Sequence, residues 1–235
     1  MSSTLQVRFG GYSIAGKKPV NQDAFAAWCG QAESNLLKGA AAAIADGVSS
    51  CADSHVASQT AVTSFLDDYA STPYTWSVHK SARQIISGLN AWIYQQNTNR
   101  ASHNDSLLTT FSAVVLKSNT LHCFHVGDSR VYHFHHTVLR SRTKDHSVLQ
   151  WMTDHQQLDE HTSRNALYTA LGEQTEQLQI EVTKSCNLRT GDWFLMCSDG
   201  LWEHLSDDEL ALLGTNLWCA DDCNTHIHQL AFNRA

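Results

Sequence analysis

The chain of 235 residues is poor in the residues that interrupt a fold, with only 2 prolines and 12 glycines. No Pro/Gly/Ser-rich stretch, internal repeat or low-complexity tract divides it, so we expect one domain over residues 1–235. No apolar run approaches the roughly 20 residues that a membrane-spanning helix needs. Residues 1–8 also lack the apolar core of a signal peptide. The sequence therefore predicts neither a membrane span nor a secretory leader in this segment.

Positive charge is scarce as well. The chain has 16 Lys and Arg against 23 Asp and Glu, a formal net charge of -7, and no basic cluster stands out. This balance disfavours nucleic acid or an anionic membrane as the main partner. A glycine-rich phosphate loop is missing, which disfavours a nucleotide-dependent kinase. The 7 cysteines form no Cys-x-x-Cys pair, and several, such as Cys123 and Cys197, lie in apolar strand-like runs. We interpret these as reduced core residues of a cytoplasmic protein.

Four short acidic motifs are present instead, spread along the whole chain. They read Asn21-Gln22-Asp23, Ala45-Asp46-Gly47, Gly127-Asp128-Ser129-Arg130 and Ser198-Asp199-Gly200. Asp46 and Asp199 each follow an apolar run, which is typical of the exit of a buried strand. Carboxylates that converge from several strand ends repel each other, so such a site normally holds divalent cations. Ligation by oxygen alone favours Mg²⁺ or Mn²⁺.

Hydrophobic periodicity groups the strands and the helices instead of alternating them strictly. Strands are predicted at 5–12, 24–28, 40–45, 111–116, 121–126, 131–135, 138–140, 178–182 and 193–197. Helices are predicted at 54–69, 77–97, 207–213 and 225–233, and residues 144–177 form a polar region without an assigned element. Strand meanders beside grouped helices indicate a layered α+β sandwich.

Eight motifs together carry a family resemblance. They are Lys18-x-x-Asn21-Gln22-Asp23, Ala45-Asp46-Gly47, Thr109-Thr110-Phe111-Ser112, Val126-Gly127-Asp128-Ser129-Arg130, Asp145-His146-Ser147, Ala170-Leu171-Gly172, Gly191-Asp192 and Ser198-Asp199-Gly200-Leu201-Trp202. In order and approximate spacing they resemble the motifs of the bacterial metal-dependent Ser/Thr protein phosphatases of the PPM, or type 2C, family. The resemblance implies a four-layer α-β-β-α sandwich of two antiparallel sheets with helices outside and a metal centre at one end.

The resemblance also implies ligands for two or three Mn²⁺ or Mg²⁺ ions. Asp46 would bridge two ions beside the backbone carbonyl of Gly47, and Asp199 would complete the first ion. Asp23 would lie at the ions or one water molecule away. The candidate ligands of a third ion are Asp128 and Glu203.

The implied reaction is hydrolysis of phosphoserine or phosphothreonine on a protein substrate, by cation-activated water that attacks phosphorus in line. Asp46, Lys18 and His146 are the candidate catalytic residues. Lys18 would bind the substrate phosphate where the family usually has arginine, and it keeps the charge without the bidentate fork. We therefore expect weaker phosphate binding. His146 is a candidate for positioning or for general-acid help to the leaving group.

Other residues that differ from the family pattern indicate a particular bacterial subset of the family. Val48-Ser49-Ser50 stands where Met-Gly-Gly is common, and Leu108 replaces a glycine. With residues 65–69 and 76–78, these variants are similar to a bacterial subset in which the phosphatase is fused to a kinase. The candidate partners are therefore a phosphorylated protein substrate and a kinase domain in the same polypeptide.

The end of the chain also departs from the family, whose members close with Asp-Asn and a short strand. Here the last residues are Phe232-Asn233-Arg234-Ala235. We expect a phosphatase-like domain without its last motif and strand, as a segment of a longer protein. Asp222 or Asn224 is interpreted as the N-cap of the last predicted helix.

Two functional classes follow from these residues. The first is an active metal-dependent protein phosphatase, and the second is a phosphatase-like regulatory or binding module with weakened catalysis. Retention of the four motif aspartates favours the first class. Lys18 and the missing terminal motif favour the second. A hydrolase of small phosphate esters would share the same site.

Overall fold

The computed structural model describes residues 7–29, 37–51, 53–98, 100, 106–156, 166–174, 176 and 178–217. The strands in these ranges are β1 (Asp23–Cys29), β2 (Ala40–Asp46), β3 (Phe111–Lys117), β4 (Thr120–Val126), β5 (Arg130–His135), β6 (Val138–Arg142), β7 (Glu181–Cys186) and β8 (Asp192–Cys197). The helices are α1 (Ser54–Ser71), α2 (Val78–Thr98), α3 (Val148–Asp154), α4 (Asp199–Trp202) and α5 (Asp207–Leu217).

The strands form two antiparallel sheets. One has five strands in the order β1-β2-β3-β4-β7, and the other has three in the order β6-β5-β8. Tight hairpins join β3 to β4 and β5 to β6, so neighbouring strands in sequence pair directly. The register places Asp23, the first residue of β1, opposite Asp46, the last residue of β2. This pairing brings the first two acidic motifs to one end of the larger sheet.

Successive side chains along each strand pack into different layers of the sandwich. In β2, Ala41 and Ala43 pack in the core beneath α1 and α2, whereas Ala42 packs towards the smaller sheet. In β8, Met196 faces the larger sheet, and Cys197 packs in the core beneath α5. Because successive side chains point to opposite faces, each sheet buries both sides. The predicted α-β-β-α sandwich is confirmed.

The two long helices carry the apolar stripes that the sequence predicts. Ala57, Ala61 and Phe65 are fully buried along α1. The hydroxyl of Ser77 accepts a hydrogen bond from the backbone N–H of Lys80 at 3.2 Å, so Ser77 caps the start of α2. Among the described residues, no helix is long and apolar enough to cross a membrane.

Two predicted strands differ from the structure. Residues 7–12 form no strand and leave Phe9 45% exposed, because no described strand pairs with them. β7 begins at Glu181 instead of Leu178, since Glu181 pairs with His125 and β4 ends one residue later, at Val126. The short α3 lies in the region without an assigned element. The last predicted helix at 225–233, with its proposed caps Asp222 and Asn224, lies outside the described residues.

Candidate active site

The site is built around Asp46 at the exit of β2. Its backbone is fixed from both sides: its N–H donates to Oγ1 of Thr110 at 2.9 Å, and its carbonyl accepts from the N–H of Thr110 at 2.8 Å. Oγ1 of Thr109 donates to the same carbonyl at 2.9 Å. The two threonines lie just before β3 and tie the end of β2 to its neighbour. The carboxylate of Asp46 is thereby held on a rigid element and is only 9% exposed.

Asp46 lies in a strongly negative environment. Burial first, then the charges of Asp23 and Asp199 and a side-chain hydrogen bond with Asp23, raise the pKa of Asp46 to about 9. Lys18 is the cation that opposes this rise. The carboxylate of Asp23 accepts a hydrogen bond from the hydroxyl of Ser198 at 2.8 Å, which links β1 to the start of α4, where Asp199 lies. The first, second and fourth acidic motifs therefore converge.

Gly47 follows Asp46 and must be glycine for steric reasons. A Cβ at this position would lie 2.7 Å from the backbone of Ser54, the first residue of α1. The N–H of Gly47 donates to the carbonyl of Gln22 at 3.0 Å, which holds it beside the first motif. The close approach brings α1 against the exit of β2.

Asp128 joins the same end of the sandwich between β4 and β5. Burial, followed by the charges of Asp199 and Asp145, raises the pKa of Asp128 to about 7. The preceding Gly127 has a φ of +103°, and a Cβ there would lie 2.7 Å from the side chain of Thr110. Glycine thus permits both the turn and the close contact.

An aromatic and ionic cluster supports Asp128 from behind. The indole N–H of Trp202 donates to the carbonyl of Asp128 at 3.1 Å. The guanidinium of Arg130 lies 3.6 Å from the centre of the Trp202 ring and binds Asp145 through two hydrogen bonds of 2.8 and 2.7 Å. Arg130, Asp145 and Trp202 belong to three of the sequence motifs, whose spacing does not give their contacts. In the sequence, only the Asp-Ser-Arg and Gly-Leu-Trp spacings indicate that Arg130 and Trp202 lie close to the site.

His146 is buried on the other side of Gly127. Its Nδ1 accepts a hydrogen bond from the N–H of Gly127 at 3.2 Å, and its Nε2 lies 3.5 Å from Oε2 of Glu181. The backbone N–H of His146 also donates to the carbonyl of Gly127 at 2.7 Å. With the residue only 5% exposed and both ring nitrogens facing protein groups, this position suits the support of a loop better than proton transfer.

Lys18 and Glu203 lie at the exposed margin. Nζ of Lys18 donates to the hydroxyl of Ser49 at 2.9 Å, so the cation lies over the loop that follows Gly47. Glu203 is exposed at the end of α4, where its N–H donates to the carbonyl of Asp199 at 3.0 Å. Its charge is not among the main influences on the pKa of Asp46 or Asp128. The structure thus gathers Asp23, Asp46, Asp128, Asp199 and Lys18, and leaves Glu203 outside.

The donor set of this cluster fits divalent cations. Its candidate ligand atoms are oxygens, and its carboxylates are partly or fully buried. Burial first, and then the charges of neighbouring carboxylates, raise the pKa of Asp46 and Asp128. Among the described residues, no three Asp, Glu, His or Cys side chains are close enough together to coordinate one ion. The fit therefore rests on the chemistry and burial of the oxygen donors.

Solved structures share this architecture. The chain superposes on the S. agalactiae serine/threonine phosphatase with a TM-score of 0.80 and 24% identity, over 93% of this chain and 90% of the other. It superposes on PppA, described as a key regulatory component of the T6SS in Pseudomonas aeruginosa, with a TM-score of 0.73 and 25% identity, over 95% and 90% of the two chains. The chain therefore has the fold of the bacterial serine/threonine phosphatases.

The sequence comparison narrows the class to a family. The profile of protein phosphatase 2C matches residues 10–230, so the chain belongs to this metal-dependent family. Serine/threonine protein phosphatase PstP of Mycobacterium tuberculosis is 27% identical over 181 residues, which are 72% of this chain and 33% of that protein. Serine/threonine phosphatase stp of Listeria monocytogenes is 28% identical over 179 residues, 71% of this chain and 68% of that protein. The chain thus spans about a third of the length of the mycobacterial relative.

Proposed function

We propose that this chain hydrolyses phosphoserine and phosphothreonine in proteins with the help of divalent cations. The observation that carries the proposal is the pairing of Asp23 with Asp46 at the ends of two adjacent strands. Burial and the neighbouring aspartates raise the pKa of Asp46 to about 9, which marks a site where ionised carboxylates need positive charge. Membership of the protein phosphatase 2C family supports the reaction class.

The oxygen atoms of the site would hold two ions, Mn²⁺ or Mg²⁺. Asp46, Asp23 and Asp199 would supply carboxylates, and Gly47 would supply its backbone carbonyl. Asp128 would serve a third ion, whereas the exposed Glu203 is a weaker candidate. When bound, divalent cations lower the pKa of water and offset negative charge on a phosphoryl group.

The remaining residues would bind and orient the substrate. The ammonium group of Lys18 donates a hydrogen bond to the hydroxyl oxygen of Ser49 at 2.9 Å. The hydroxyl hydrogen of Ser49 is therefore free to be donated to a phosphoryl oxygen. The two groups together would present two donors to the phosphate, as a single arginine does. His146 would act as a positioning residue that holds Gly127, and through it Asp128.

Three finer assignments belong to the same proposal. A single catalytic domain over residues 1–235 is supported by the continuous family match over residues 10–230. A cytoplasmic location is supported by the buried Cys123 and Cys197, which form no disulfide. A kinase domain in the same polypeptide is supported by the sequence variants at Val48-Ser49-Ser50 and Leu108.

Phosphate release from a phosphothreonine peptide, with and without Mn²⁺, tests the proposal. The 235-residue chain should turn over only with the cation, and Asp46→Asn should lower the rate at least about a thousandfold, because it removes a carboxylate that would hold the cations. Asp67→Asn, an equal change of charge on the exposed face of α1, is the control and should leave the rate unchanged. Mn²⁺ binding without any turnover would contradict the proposal and favour the regulatory module.

A further inference from the structure

A polar cavity away from the aspartate cluster is lined by residues of both sheets. It has a volume of about 460 Å³ and is bounded by the β5–β6 hairpin, the end of β7 and the start of β8. Its lining includes His133, Arg140, Ser141, Ser185, Arg189 and Asp192. We call it the distal cavity.

The distal cavity is at the opposite end of β8 from the candidate active site. Asp192 begins this strand, and Cys197 ends it directly before Ser198 and Asp199. Five steps along a strand, at about 3.3 Å per residue, separate the two ends by roughly 17 Å. A group bound in the distal cavity is therefore beyond the reach of the aspartates.

Two arginines line this cavity at places where the backbone is irregular. The β5–β6 pairing shifts its register between His133 and Phe134, whose partners are Ser141 and Leu139, so Arg140 is the extra, bulged residue. A bulge redirects its side chain out of the normal alternation. Across the cavity, Asn187 has a φ of +58° in the turn from β7 to β8, which carries Arg189. Both arginines line the cavity, and both are exposed to solvent.

The positive charge of the two arginines exceeds the negative charge in the cavity lining. Neither guanidinium forms an ion pair within the part of the chain that the structure describes. The one carboxylate in the lining, Asp192, is already engaged: Oδ1 lies 2.9 Å from Nδ1 of His135, and Oδ2 accepts from the backbone N–H of Arg189 at 2.8 Å. Two guanidinium groups against one carboxylate leave the lining with a net positive charge in a chain of net charge -7, which favours an anion as the ligand.

His133 adds a buried polar atom without a partner. Its ring stacks on Phe194 at 4.5 Å, and its side chain is 13% exposed. Nε2 is buried and makes no hydrogen bond to any described residue, although it lies 3.4 Å from Oδ1 of Asp192 outside hydrogen-bond geometry. Buried nitrogens are normally satisfied by protein, water or ligand. An acceptor oxygen in the cavity would satisfy this one.

We propose that the distal cavity binds a phosphate group without hydrolysing it. Arg140 and Arg189 would form charge-assisted hydrogen bonds to its oxygens, and Ser141 and Ser185 would supply neutral donors. A cation is disfavoured by the two guanidinium groups, and an apolar ligand by the polar lining. The phosphate can come from inorganic phosphate or from a phosphorylated peptide, and this second site is additional to the one proposed for hydrolysis.

Equilibrium binding in the presence of a chelator tests this proposal. Without divalent cations the aspartate cluster repels anions, so calorimetric titration with inorganic phosphate and with a phosphothreonine peptide reports on the distal cavity. Arg140→Gln combined with Arg189→Gln should weaken binding roughly tenfold or more, because two charge-assisted bonds are lost. Arg83→Gln on the exposed face of α2 is the control for net charge, and Lys18→Gln is the control for the active site.

The outcomes separate the two sites. Binding that survives Arg83→Gln and Lys18→Gln and fails in the double variant supports the proposal. Tighter binding of the phosphopeptide than of inorganic phosphate would identify the peptide as the source, and equal binding would identify the free ion. Absence of binding, or binding that only Lys18→Gln removes, would overturn the proposal. Since no outcome depends on turnover, failure here leaves the hydrolytic function untouched.

Discussion

Trp202 donates its indole N–H to the backbone carbonyl of Asp128 at 3.1 Å, across 74 positions of sequence. This contact joins the third acidic motif to the fourth, because Asp128 precedes β5 and Trp202 ends α4 behind the neighbouring β8. Arg130 lies against the same indole ring at 3.6 Å and is held by Asp145. The loop that carries Asp128 is therefore fixed by a side chain from another motif.

Trp202→Phe should lower kcat/KM for a phosphothreonine peptide about two- to tenfold. The phenyl ring keeps the contact with Arg130 but lacks the N–H, and one hydrogen bond is worth about 0.5–1.5 kcal/mol. Steady-state kinetics with Mn²⁺ provides the measurement, and Trp92→Phe on α2 is the matched control. An unchanged rate in Trp202→Phe would show that the hydrogen bond does not position Asp128.

Asp46→Asn should stabilise the metal-free chain, and increasingly so as pH rises. The folded state raises the pKa of Asp46 from 3.8 to about 9, so between these values the folded state holds a proton that the unfolded state has lost. The protonated Asp46 therefore contributes stability to the folded state that is complete below about pH 4 and is lost as pH rises towards about 9. Asparagine does not titrate, so Asp46→Asn removes this dependence of stability on pH.

Urea unfolding in a chelator at pH 5 and pH 8 measures this effect. The free energy of unfolding of the wild type should fall more between the two pH values than that of Asp46→Asn. Parallel curves for the two proteins would show that the carboxylate is not held in a repulsive, buried environment.

Lys18 and Ser49 should act as a pair on the substrate phosphate. Ser49→Ala removes the second donor and should raise KM about three- to tenfold with little change in kcat, since a neutral hydrogen bond is lost. In a Lys18→Arg background, the same Ser49→Ala change should have a smaller effect, because arginine supplies two donors by itself. A double-mutant cycle on KM gives the coupling. Equal effects of Ser49→Ala in both backgrounds would mean that the two residues act independently.

His125 should make the fold sensitive to acid. It is buried between the hydroxyl of Ser112 at 2.8 Å and the carbonyl of Lys144 at 3.0 Å, and it faces His146, Glu181 and Asp145. Burial, followed by the charge of His146, lowers the pKa of His125 from 6.5 to about 4. The unfolded state therefore takes up a proton first, and stability falls as pH decreases from about 6.5 to about 4.

His125→Asn separates this contribution from the other histidines. The variant should be less stable than the wild type at pH 7, since a buried contact is lost, but its stability should decline less between pH 6.5 and pH 4. Chemical denaturation across this range is the measurement. A decline as steep as in the wild type would assign the acid sensitivity to other groups.

Much of the architecture could be read from local sequence pattern. The stripe of Ala57, Ala61 and Phe65 predicts α1, and apolar runs that end in Asp46 and Asp199 predict the strands that carry them. Such patterns are informative because burial on one face imposes a period on the residues. By contrast, α3 has no buried residue, so it has no apolar period for the sequence to reveal. Its visible signal is Ser147, which accepts a hydrogen bond from the N–H of Gln150 at 3.2 Å.

The amino-acid sequence by itself determined the family, the layered fold and the set of aspartates, since short motifs and hydrophobic periods are local properties of the chain. Only the tertiary structure decided which of the candidate residues meet. Strand pairing places Asp23 opposite Asp46, and His146 is buried against Gly127. Glu203 lies at the surface, and Arg140 is a bulged residue that lines the distal cavity. These relationships depend on strand register, bulges and the packing of distant segments, and such long-range contacts leave no periodic signal in a single sequence.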